Sequence, residues 1–150
     1  MRSQHLETQL PVLRNKNYDV TSPRDRSYNC AAWAGGDDNR WWEPARLGGY
    51  YWPAGLPERD WRVSNYQRAY EQHGFVACAD GSLEAGVEKI AIYERQGNFC
   101  HASRQLEDGR WTSKCGQHHD ITHDTPDDLA GGQGYGYGDV AVFMQRTRST

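Results

Sequence analysis

The sequence predicts an α+β domain, with helices first and a mostly antiparallel sheet after them. Three observations carry this. A short apolar run, Cys30-Ala31-Ala32-Trp33-Ala34, follows Asn29 and stops at Gly35-Gly36. A second helical pattern follows Ser64. Three β-type runs then occupy 87–93, 99–106 and 110–115, separated by Gln96-Gly97-Asn98 and Glu107-Asp108-Gly109.

The 150 residues make one domain, 1–150, able to bury roughly two-thirds of its unfolded surface. Mean hydropathy is low, −0.95, but six Trp and nine Tyr supply large packing groups, so the core is expected to be aromatic. A net charge of −3 argues against a nucleic-acid binder. Arg24 with Arg26, and Arg146 with Arg148, read as solvated charges. No apolar leader opens the chain and no run is long enough to span a membrane, so the expected compartment is the cytoplasm. Export by a signal-independent machine is the alternative. Cys30, Cys78, Cys100 and Cys115 are irregularly spaced and are expected as reduced thiols.

Residues 1–20 are expected to form an arm lying on a core at 21–145, loose over its first few positions. Thr21-Ser22-Pro23 is a turn. Ser27 and Asn29 are good N-caps for a helix opening at Cys30, and Gly35-Gly36 ends it. From 40 to 61, Pro44, Pro53, Pro57 and Gly48-Gly49 forbid long elements, while Trp41, Trp42, Tyr50, Tyr51, Trp52 and Trp61 demand cover. A packed loop is favoured over a stacking surface. Ser64 and Gln67 fit a capping box, with Tyr66, Ala69, Tyr70 and His73 on one helical face and Gly74 as the stop. A short extended piece at 75–78 precedes the three strands, of which 87–93 reads as central. Thr125-Pro126 starts a short helix, 131–138 is a Gly/Tyr loop, and 140–144 is a final strand.

The chemistry starts at Cys30. Free N–H groups in the first turn of a helix favour a thiolate, the nucleophilic form. His101, entering a later strand, is the candidate base. Its orienting partner depends on the hairpin register. A two-residue Asp108-Gly109 loop places His101 on the face of Thr112 and Lys114. A three-residue loop places it with Trp111, Ser113 and Cys115. We favour the second, with Ser113 as the acceptor. Cys115, His118, His119, Asp120, His123 and Asp124 contain metal-ligand types, but no C-x-x-C partner exists, so a solvated polar loop is expected and no metal or other cofactor is implied.

The stretch Tyr28-Asn29-Cys30-Ala31-Ala32-Trp33-Ala34 resembles the motif opening the nucleophile helix of NlpC/P60 and CHAP domains, which are small papain-like cysteine peptidases and amidases. The segments 87–93, His101-Ala102 and 109–114 resemble their histidine-bearing hairpin. Over about 20–145 the chain also resembles an uncharacterised bacterial domain family. The resemblance implies a papain-like fold, Cys30 as nucleophile and His101 as base. The substrate would be an amide in a peptide or peptidoglycan fragment, with Trp41, Trp42 and Trp52 lining the groove. Asn29 and Ala31-Ala32 depart from the usual Asp and Ser-Gly, and Glu88-Lys89 stands where the histidine strand normally opens. Two further readings therefore stand beside the hydrolase: a toxin-like deamidase or transglutaminase, and a non-catalytic binding module on the same fold. The sequence does not specify an oligomeric state.

Overall fold

The computed structural model describes residues 1–45 and 49–149; Gly48 of the element-breaking Gly48-Gly49 pair lies outside them. Seven strands form one sheet: β1 (Tyr18–Val20), β2 (Val76–Cys78), β3 (Val87–Arg95), β4 (Asn98–Gln105), β5 (Trp111–Lys114), β6 (Asp120–His123) and β7 (Asp139–Thr147). Their order is β1-β6-β5-β4-β3-β7-β2, and every neighbouring pair is antiparallel. With α1 (Gln4–Gln9), α2 (Cys30–Ala34) and α3 (Val63–Glu71), this is an α+β domain.

The sheet is covered on both faces. β3 lies between β4 and β7 and sends Ile90 and Ile92 to one face and Ala91 and Tyr93 to the other. Because both faces are covered, β3 needs a continuous apolar run where a one-sided strand would alternate. The first face packs α2, α3 and the aromatic loop through Ala31, Ala32, Trp42, Trp52, Tyr66 and Tyr70. The second packs the N-terminal arm through Leu6, Leu10, Val12, Leu13 and Tyr18.

The arm is more ordered than the sequence suggested. Ser3 caps α1 by accepting the Leu6 N–H (3.1 Å), a 3₁₀ helix follows at Pro11–Asn15, and β1 pairs Tyr18 with His123. α3 also starts before its expected cap. Arg62 holds the N-cap position without a side-chain bond, and the Val63 N–H goes to Gly97 O (3.0 Å). A tertiary contact with the β3–β4 turn thus fixes the start, and Ser64 falls inside the first turn.

Candidate functional site

α2 begins as its sequence dictates. The Asn29 side chain accepts the Ala32 N–H (3.1 Å), and also bonds Trp42 N (3.1 Å) and Trp42 O (2.7 Å), which ties the aromatic loop to the helix start. Cys30 is the first residue of α2. Its thiol lies against the Ala102 N–H of β4. Cys30 is half-buried, and desolvation of its thiol pushes it up to about 11, although the N–H groups of Ala102, Ala31 and Cys30 pull the other way. A five-residue helix supplies little dipole, so desolvation wins. The expected thiolate is therefore not favoured.

His101 sits one residue from Ala102, but successive side chains on a strand leave opposite faces. Ala102 packs on the α2 face. The His101 ring stacks on Tyr137 (4.2 Å, 9°) and meets Tyr93 edge-on (5.1 Å), both of the second face. The His101 ring thus leaves the face on which α2 packs, and no hydrogen bond joins it to Cys30 among the described residues, although Tyr137, on which it stacks, lies within electrostatic reach of the Cys30 thiol. His101 is 1% exposed, and its Nε2 is buried without a hydrogen-bond partner among the described residues. Burial, and secondarily His123, hold it well below the ordinary histidine range.

The hairpin takes the three-residue register. Gln105 opposes Trp111, the Leu106 N–H bonds Arg110 O (2.7 Å), and Gly109 adopts φ +91°. Ser113 therefore shares the His101 face, yet its Oγ is bonded to His123 Nε2 (2.8 Å). His123 Nδ1 donates to Thr125 O (2.8 Å), which makes Ser113 the donor to Nε2. Ser113 orients His123, and no bond joins it to His101 among the described residues.

The tryptophans are mainly structural. Trp42 and Trp52 are buried, whereas Trp41 is half-buried and stacks on Tyr50 (6.1 Å). Trp42 alone of the three borders a described cleft, of about 360 Å³, beside Asp37, Arg40 and His73. The expected solvated loop at 115–124 is corrected in part, because Asp120–His123 forms β6 and both Asp120 and His123 are buried. Asp120 Oδ2 accepts the Tyr28 hydroxyl (2.7 Å), and His119 Nδ1 bonds Ser22 O (2.8 Å). No metal-binding group of His, Cys, Asp and Glu exists among the described residues.

Lys114 escaped sequence reasoning. Its side chain is fully buried, and its Nζ donates to Asp25 O and to His118 O (2.7 Å) while lying 4.6 Å over the Tyr28 ring. The ammonium thereby ties segment 24–26 to the turn after β5. These two segments wall a cleft of about 320 Å³, lined by Arg24, Asp25, Arg26, Gln117 and His118. The only advance signal was an inward-facing Lys in a strand of otherwise buried residues. A third cleft, of about 570 Å³, is lined by residues including Leu83, Glu107 and Arg148. None of the three is lined by Cys30 or His101.

Residues 19–145 match the family described as Domain of unknown function (DUF7689), and the chain belongs to that family. No curated protein and no solved structure matches it.

Proposed function

We propose that this domain is a non-catalytic binding module, in which Cys30 and His101 serve as packing groups. One observation carries the reading: β4 presents its backbone to the Cys30 thiol while directing the His101 ring to the other face, against Tyr137 and Tyr93. A thiol pushed up to about 11 and an imidazole held low are both neutral at physiological pH. Neither is prepared for nucleophilic attack without a rearrangement.

Descent from a papain-like hydrolase fits a cysteine-led helix on an antiparallel sheet, with the catalytic pairing lost. Four free thiols fit a reducing compartment such as the cytoplasm. The competing proposal keeps the Cys30–His101 hydrolase or deamidase on an amide bond. It is favoured by the unpartnered His101 Nε2, and it needs β4 to shift so that imidazole and thiol meet.

Thiol alkylation separates the two. At pH 8 a thiol of pKa about 11 is roughly one part in a thousand thiolate, against about a quarter for an ordinary cysteine. Iodoacetamide should therefore modify Cys30 in the native protein roughly a hundredfold more slowly than in urea, as read by peptide mapping. Native Cys30 reacting faster than the denatured thiol would overturn the binding reading.

A further inference from the structure

We propose that the cleft between residues 24–26 and 117–118 is a binding site for a small oxyanion of the phosphate class. The proposal rests on the reading of the domain as a binding module and supplies that module with a ligand class. Although the chain carries a net charge of −3, this cleft is cationic. Arg24 and Arg26 are exposed on one wall, and neither forms an ion pair or a hydrogen bond among the described residues. Several other arginines are paired: Arg110 reaches Asp124 (3.2 Å), Arg62 reaches Asp60 (2.7 Å) and Arg146 reaches Glu88 (3.4 Å). Both guanidiniums border the cleft without a partner among the described residues, and a guanidinium offers N–H donors suited to phosphate oxygens.

The cleft also contains the Asp25 carboxylate, one of whose oxygens is engaged within the chain. Its Oδ1 accepts both the N–H of Ser27 (2.8 Å) and the Ser27 hydroxyl. Lys114 lies behind both walls and fixes their separation through Asp25 O and His118 O. The opposite wall carries His118. Its Nε2 is bonded to Gln9 Oε1 (2.6 Å), and its ring meets His5 edge-on (5.1 Å). Burial depresses the His118 pKa, and so do the surrounding positive charges of Arg24, His5, His119 and Lys114. His118 is therefore a built-in reporter: an anion that neutralises the Arg24 charge must raise its pKa.

The test follows the His118 ring protons by NMR across pH, in full-length protein titrated with inorganic phosphate or with sodium chloride at equal ionic strength. Phosphate is expected to raise the His118 pKa saturably, with a Kd of roughly 1 mM, the range for two charge-assisted contacts. Chloride should shift it only through screening. Because both arginines are exposed, Arg24→Ala/Arg26→Ala should fold normally and bind phosphate at least tenfold more weakly. A His118 response that does not saturate, or that is unchanged in the double variant, would overturn the site. Either result leaves Cys30 alkylation unmoved, so failure of the site and failure of the binding-module reading are told apart.

Discussion

Lowering the pH from 7 to 4 should weaken the native state by roughly 3 kcal/mol through His123 alone. Burial brings this imidazole down to about 4, from an ordinary value of 6.5 in the unfolded chain. It is fully buried, with Nδ1 committed to Thr125 O and Nε2 to Ser113. Between pH 6.5 and 4 the unfolded chain takes a proton that the folded protein refuses. Stability is thus complete above about 6.5, declines through the window, and levels off below about 4. At about 1.4 kcal/mol per pH unit the interval gives the stated loss. His101, also buried and held low, acts in the same direction. Asp120, whose carboxyl is held high by burial, offsets part of the loss at the acid end. Urea unfolding at a series of pH values measures the slope, and His123→Gln should flatten it. A wild-type profile flat from 6.5 to 4 would refute the assignment.

Trp42→Ala should cost about 4 kcal/mol and lower Tm by roughly 10–15 °C. The indole is 1% exposed and lies 4.5 Å from His73, 5.2 Å from Tyr51 and 5.8 Å from Tyr70, ring to ring. Its Nε1 donates to Asp37 (2.8 Å). The chain turns at Gly35 directly beneath it, where a Cβ would stand 2.6 Å from Trp42 Cη2. Removing the indole therefore opens a cavity, strands Asp37 and loosens the loop from the start of α2. Trp61, 39% exposed, is the control, and Trp61→Ala should cost under about 1 kcal/mol. Melts showing equal losses in the two variants would contradict this account of the core.

The elements that local chemistry dictates were legible in the sequence. Asn29 and Gly35 bound α2, the continuous apolar run marks β3 as central, and Glu107-Asp108-Gly109 contains the left-handed glycine that sets the register. What tertiary contacts decide was not legible. β6 reads as a polar loop because Asp120 and His123 are satisfied by Tyr28, Ser113 and Thr125, partners contributed by other elements. β1 is three residues long, and only its pairing with β6 marks it as a strand. At the candidate site, the order of Cys30 and His101 along the chain was visible, but the face each occupies was not. The Ala102/His101 alternation acquires a direction only once α2 has chosen its side of the sheet.

The strand order also sets a folding sequence. β3 through β6 form a meander whose neighbours are joined by short connections, so each pairing closes a small loop. β1 must find β6 across roughly a hundred residues, at a higher cost in chain entropy. The meander is therefore the expected nucleus, and the N-terminal arm docks after the rate-limiting step. Ile92→Val in β3 should then slow refolding, with a φ-value above about 0.5, provided it destabilises enough to be measured. Leu6→Ala in α1 should leave the refolding rate nearly unchanged and appear almost wholly as faster unfolding. On the ribosome, the arm emerges before the meander and has to wait until residues 120–123 are available before it can close the edge of the sheet.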